Sequence, residues 1–195
     1  RRCISSSASR PGRHAASCRL AQTLAVMYPT VCSLTGLPNR MAIERRLTAP
    51  SECPRWIGLA NLDSFRWFNH VFTHAAGDEL LVSVARIATE VASARDALAF
   101  RLQSDNFIFL TRECSAAHMR ELLLELQHRV LGLAVPQATE AKSTVGLVTV
   151  SVAQLALPGC PILHPHSVLD SLEQKLASQR ALGPRFAVAA LSVDG

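Results

Sequence analysis

Asn61, Asp63 and Arg66 put an amide, a carboxylate and a cation where an apolar run, Ile57 to Ala60, gives way to polar residues. Asn69 and Asp78 add a second amide and carboxylate a few turns later. Side chains that donate, accept and carry both signs of charge within one short segment are the layout of a nucleotide pocket. A further polar group, Gln103-Ser104-Asp105-Asn106, interrupts two apolar runs downstream. His164-Pro165-His166 offers two imidazoles about a proline but no third ligand, so it reads as loop and not as a metal centre. His74 reads as a structural hydrogen-bonding residue.

The elements that must position these groups follow from periodicity. Trp56 to Leu62 predicts a buried strand, and Arg40 to Leu47 a short helix. Asp78 to Val91 predicts a helix with Leu80, Val84, Ile87 and Val91 as its apolar stripe and Glu79, Arg86 and Glu90 on the wet side. Ala99 to Leu102 and Phe107 to Leu110 read as strands joined by the Gln103–Asn106 turn. Ser115 suits the N-cap of a helix to about Val130, with Met119, Leu122 and Leu126 inward. Val148, Val150 and Val152 alternate with Thr149 and Ser151, a period-two strand. Val168 to Leu182 predicts a helix and Arg185 to Ala190 a last strand. Trp67, Phe68 and Phe72 read as core and helix packing. No internal repeat is present.

In this order the motifs resemble a GGDEF domain, the family of diguanylate cyclases. Leu34-Thr35-Gly36-Leu37-Pro38-Asn39-Arg40 reproduces the opening motif L-T-G-L-x-N-R. Asn61 to Asp78 resembles D-x-D-x-F-K-x-x-N-D-x-x-G-H-x-x-G-D, and Arg101 to Phe107 stands where the family has R-x-G-G-D-E-F. Ser143 to Ala153 resembles the late T-x-S-x-G-x-A strand without its glycine in the usual place. Glu173 to Gly183 resembles the A-D-x-A-L-Y-x-A-K-x-x-G helix only loosely. The resemblance spans roughly residues 30 to 190 and implies an α+β, palm-like nucleotidyl-cyclase fold. Its sheet is central and mostly antiparallel, with a βαββαβ core flanked by helices.

The family condenses two GTP molecules into cyclic di-GMP across a two-fold dimer, chemistry that rests on positioning and on charge held by bound metal. By this resemblance Asn69 and Asp78 hold guanine, Arg66 keeps the positive charge of the family's Lys, and Arg180 aligns with a phosphate-contacting Lys. Pro184 stands where an Arg is usual, which weakens the phosphate grip. Asn61 replaces the first metal-binding Asp, and Asn106 the Glu of the signature. Asp105 is the residual catalytic acid of the turn, insufficient by itself. At about 4 Å and an effective dielectric near 20, each lost charge removes on the order of 4 kcal/mol of attraction for a cation. Gln103 and Ser104 replace glycines that permit positive φ, so they force a different turn or crowd the nucleotide. The product-inhibition motif R-x-x-D has Ala97 at its Asp position, with Arg95 and Asp96 out of register unless a one-residue bulge realigns Asp96.

Composition sets the remaining bounds. The net charge of +5 comes from five arginines in the first twenty residues, a stretch without acids; the rest carries 15 basic and 15 acidic residues. The basic balance is therefore no argument for nucleic acid as partner. Six scattered cysteines with no C-x-x-C pair fit reduced thiols in a cytoplasmic domain. No apolar run reaches the roughly 18 residues of a membrane span.

Residues 1–29 read as a flexible basic extension, loop to about residue 13, with a linker helix over Ala15–Tyr28. They suit a linker to an upstream sensor better than an organellar transit peptide. Residues 30–192 form the domain. A beginning without Met reads as a piece of a longer signalling protein, with a phosphodiesterase domain left open downstream. The expected function is a degenerate GGDEF domain that binds GTP, dimerises or regulates an attached domain, and makes no cyclic di-GMP. No cofactor is certain, and Mg²⁺ or Mn²⁺ enters only with residual activity. Two alternatives stay open: an active cyclase, and a nucleotide-free interaction scaffold.

Overall fold

Phe107 and Phe109 face one side of a strand, Ile108 and Leu110 the other, and all four are buried, so this strand has helices on both faces. The computed structural model describes residues 30–50, 53–138, 145–182 and 190–191. The chain divides into units of residues 1–30 and 31–195, and every described element belongs to the second. The helix expected over Ala15–Tyr28 and residues 185–189 of the expected last strand lie outside the described residues.

In chain order the elements are α1 (Arg40–Thr48), β1 (Trp56–Leu62), α2 (Phe65–Val71), α3 (His74–Ser93), β2 (Ala97–Gln103) and β3 (Asn106–Thr111). There follow α4 (Ala116–Leu131), β4 (Pro136–Ala138), β5 (Val145–Leu147), β6 (Val150–Ala156), α5 (Pro165–Leu182) and β7 (Ala190–Leu191). The main sheet runs β2-β3-β1-β6-β7, antiparallel except for the β6–β7 pair, and β4–β5 forms a separate hairpin. One apolar cluster joins one sheet face to α2, α3 and α4; the other joins the opposite face to α1 and α5. This is the α+β architecture the motifs imply. Close approach of α4 to β1 needs Gly58, where a Cβ would stand 2.8 Å from Met119 Sδ.

The expected stripes hold: Leu80, Val84, Ile87 and Val91 are buried on α3, as are Met119, Leu122 and Leu126 on α4, whose N-cap is Ser115. Several bounds differ. Helix α3 starts at His74, a turn before Asp78, because the Thr73 hydroxyl accepts the Ala76 N–H at 3.1 Å. Strands β2 and β3 run further than expected and leave only Ser104 and Asp105 to turn the chain. Val148 precedes β6, and Ser151 within it is buried, so the alternation there separates two covered faces and not core from solvent. Helix α5 starts at Pro165, a residue suited to a first helical position, and takes in His166 that had read as loop. Phe68 is core as expected, but Phe72 follows the end of α2 and is 40% exposed, its ring 4.7 Å from that of Phe68. Among the described residues no helix is long and apolar enough to cross a membrane.

Candidate functional site

Strand register brings the first polar cluster together. Asn61 lies opposite Asn106 of β3 on one side and Ser151 of β6 on the other. Its Nδ2 donates to Asp105 Oδ2 at 2.8 Å and to Asn106 Oδ1 at 2.6 Å, while its Oδ1 accepts from Arg180 Nη2 at 2.5 Å. Asp63, just past the end of β1, is 3% exposed. Its Oδ1 accepts from Ser151 at 2.6 Å and from Arg180 Nη2 at 2.7 Å, and its Oδ2 from Thr149 at 2.7 Å. Gln137 on β4 donates to the Asp63 carbonyl at 2.8 Å. Asn106 Nδ2 in turn donates to Glu173 on α5 at 3.2 Å.

The turn beside this cluster keeps a left-handed residue without glycine. Ser104 sits at φ 47°, a conformation that costs a residue with a Cβ about 1–2 kcal/mol. Arg101 holds it: Nε and Nη2 donate to the Ser104 carbonyl at 3.0 and 2.7 Å, and Nη1 donates to Cys32 Sγ at 3.1 Å. Burial pushes the Cys32 thiol up, but hydrogen bonds from Thr35, the Leu34 backbone and Arg101 outweigh it and bring it from 9.0 down to about 7. The Leu34–Arg40 motif thus backs the turn, and Asn39 caps α1 by accepting the Met41 N–H at 3.1 Å. The register shift of β2 falls between Arg101 and Gln103, on the turn side, so it does not realign Asp96 with the inhibitory position.

Past Asp63 the chain bends through Ser64, in the left-handed region at φ 55°, into α2. Here a cavity of about 650 Å³ is lined by Ser64, Arg66, Trp67, Asn69, His70 and His74. The Trp67 ring packs against that of His70 at 5.3 Å. Trp67 Nε1 and Asn69 Oδ1 are buried with no hydrogen-bond partner. Asn69 is also pressed against α3: a Cβ on Gly77 would stand 1.8 Å from its Oδ1 and 3.2 Å from the Phe65 ring. Only glycine at 77 lets the two helices close this tightly.

Of the expected site residues, Arg66 and Asn69 line the cavity, while Asp78 follows Gly77 on α3, exposed and outside the lining. Asn69 is helical, and Asp78 is inside α3 and not at its start. Asn61, Asp105, Asn106 and Arg180 form the other cluster. Asp63 belongs to the site as its type and place suggested, whereas Thr149, Ser151, Glu173 and Gly77 belong to it with no role read from sequence; the polar alternation at 149 and 151 was the signal for two of them.

The Mg²⁺ that the family implies does not fit this donor set. That ion wants one or two free carboxylates among hard oxygen ligands. Asn61 presents its amide hydrogens to Asp105, and both oxygens of Asp63 are taken by protein donors. Among the described residues no group of three or more His, Cys, Asp or Glu is placed to hold a metal.

Comparison with known proteins identifies the family and the fold. A profile of the family described as "Diguanylate cyclase, GGDEF domain" matches residues 31–183. Diguanylate cyclase DgcP of Escherichia coli (strain K12) is 30% identical over 106 residues, which cover 51% of this chain and 31% of that protein. The matched stretch therefore spans about a third of the length of that relative. The coiled coil and GGDEF domain of DgcB from Caulobacter crescentus, in complex with c-di-GMP, superposes with a TM-score of 0.64 at 28% identity over 90% of this chain and 95% of that one. The Vibrio cholerae LapD S helix-GGDEF-EAL structure shares the fold with a TM-score of 0.69 at 14% identity, covering 93% of this chain and 41% of that one. The chain belongs to the GGDEF family, the diguanylate cyclase domain of cyclic di-GMP signalling.

Proposed function

We propose that residues 30–192 form a degenerate GGDEF domain that holds a guanine nucleotide, GTP, at the Asn69 cavity and does not condense it. One observation carries the reading: the Asn61 amide bonds to Asp105, Asn106 and Arg180 at once, so the oxygens that would meet a metal already meet protein donors. The unpartnered Asn69 Oδ1 and Trp67 Nε1 beside a cavity of about 650 Å³ support nucleotide retention. Arg66 on the same cavity supplies a charge for phosphate. The domain then acts as a regulatory or dimerising module on the cytoplasmic side, between an upstream sensor and an attached signalling domain such as a phosphodiesterase.

A second reading, a scaffold without nucleotide, is favoured by one fact: Asp78 is exposed and outside the cavity lining. Calorimetry with a non-hydrolysable GTP analogue separates the two. Saturable binding that weakens about tenfold or more in Asn69→Ala is the expected result. No binding at millimolar nucleotide leaves the scaffold. Incubation with GTP and Mg²⁺ or Mn²⁺ is expected to yield no cyclic di-GMP, and measurable product would end the proposal.

A further inference from the structure

The cluster at the end of β1 is short of a metal but not of a cation. Asn61 Oδ1, the Asn61 carbonyl and Asp63 Oδ1 converge on one atom, Arg180 Nη2, at 2.5, 3.5 and 2.7 Å. Three oxygens around a single point, one of them a buried carboxylate, make a cradle for positive charge. A carboxylate 3% exposed needs a compensating charge or strong donors, because its own charge has lost water. Ser151 and Thr149 supply neutral donors only; the charge comes from Arg180.

We propose that the Arg180 guanidinium is the built-in cation of this site, that it closes the site to Mg²⁺ and Mn²⁺, and that Asn61 is the residue that makes this possible. The Asn61 amide is oriented by two acceptors, Asp105 and Asn106, which hold its NH₂ and leave its oxygen for the guanidinium. A carboxylate at 61 would meet Asp105 with like charge at hydrogen-bond distance and would call for a divalent ion between them. Asparagine removes that repulsion and donates to Asp105 instead. The single positive charge of Arg180 then suffices for Asp63, and its planar fork lets one nitrogen reach both residues.

Thermal unfolding and water-proton relaxation with Mn²⁺, on the full chain, test this without any nucleotide, so the outcome stands apart from the proposed function. The wild-type chain is expected to show one midpoint in EDTA and in millimolar Mn²⁺, with no saturable relaxation enhancement. Arg180→Met removes the charge at similar length. It is expected to melt several degrees lower, to bind Mn²⁺ about tenfold tighter or more than wild type, and to regain part of its midpoint when Mn²⁺ is added. Arg180→Lys keeps a cation and is expected to stay indifferent to Mn²⁺, which a merely structural role for the side chain does not predict. Saturable Mn²⁺ binding by the wild type that is lost in Asn61→Ala would overturn the proposal, as would an Arg180→Met variant with an unchanged midpoint and no gain of Mn²⁺. Should Arg180→Met not fold, Asn61→Asp decides. The new carboxylate is expected to face Asp105 with like charge and to admit Mn²⁺ with saturable relaxation enhancement, and an Asn61→Asp variant that binds no Mn²⁺ would refute the assignment.

Discussion

The two ends of the site lie on either side of Ser64 and treat their polar atoms in opposite ways. At the Asn61–Asp63 end every oxygen of the two side chains has a protein donor, and the cluster ties four strands or turns to α5. At the Asn69 end a buried carbonyl oxygen and a buried indole N–H have none, and their side chains line the cavity of about 650 Å³. Buried polar atoms are nearly always paired, and the two left over at this end are the ones the proposed nucleotide would be read by. On the proposed reading, the contrast teaches that loss of catalytic charge need not leave a hole. By that reading the family fold closes one half of its pocket with its own side chains while the other half stays available.

The largest effect that would break this contrast comes from Asp63→Ala. Arg180, Ser151 and Thr149 would lose their common acceptor, and urea unfolding is expected to show a loss of about 3 kcal/mol. A loss below about 1 kcal/mol would mean that the cluster is a set of incidental surface contacts. Gly77→Ala probes the other end. Its Cβ meets Asn69 Oδ1, so the expected cost is about 2 kcal/mol together with loss of nucleotide binding. In an Asn69→Ala background the same change should be neutral or stabilise by up to about 1 kcal/mol, because alanine favours helix over glycine.

The smallest effect concerns the support behind the turn. The Cys32 thiol ionises near 7 in the fold and near 9.0 when free of it, so the thiolate is favoured by folding. The stability this contributes is full above pH 9.0 and is lost as pH falls through about 7. Cys32→Ser should flatten the stability profile across that window, and alkylation of the wild-type thiol should follow an apparent pKa of about 7. A profile identical in both proteins would detach Cys32 from the Arg101 contact.

Order along the chain made the architecture legible, because apolar periodicity and the ordered motifs reported the same elements. Strand β1 and the inward faces of α3 and α4 could be read from apolar spacing alone. What sequence could not give was the destination of polar side chains. Thr149 and Ser151 look like the wet half of an alternating strand, yet they turn toward Asp63, a contact 86 and 88 residues distant in the chain. Arg180 read as a phosphate ligand, and its guanidinium bonds to Asn61 and Asp63, contacts that depend on how α5 packs over β1 and β6. Asp78 read as a base ligand from its motif, and the start of α3 at His74, capped by Thr73, puts that position inside the helix and exposed. Non-local contacts of this kind leave no trace in local periodicity.

Helix α5 has a consequence that reaches beyond the pocket. Its first turn holds His166, to which Arg40 donates at 2.9 Å, and its last turn holds Arg180. Eighteen residues of helix make a strut about 27 Å long, fastened at one end to α1 and at the other to the end of β1. A strut of that kind resists compression and passes on a push: movement of the Leu34–Arg40 segment would arrive, undiminished by slack, beneath Asp63.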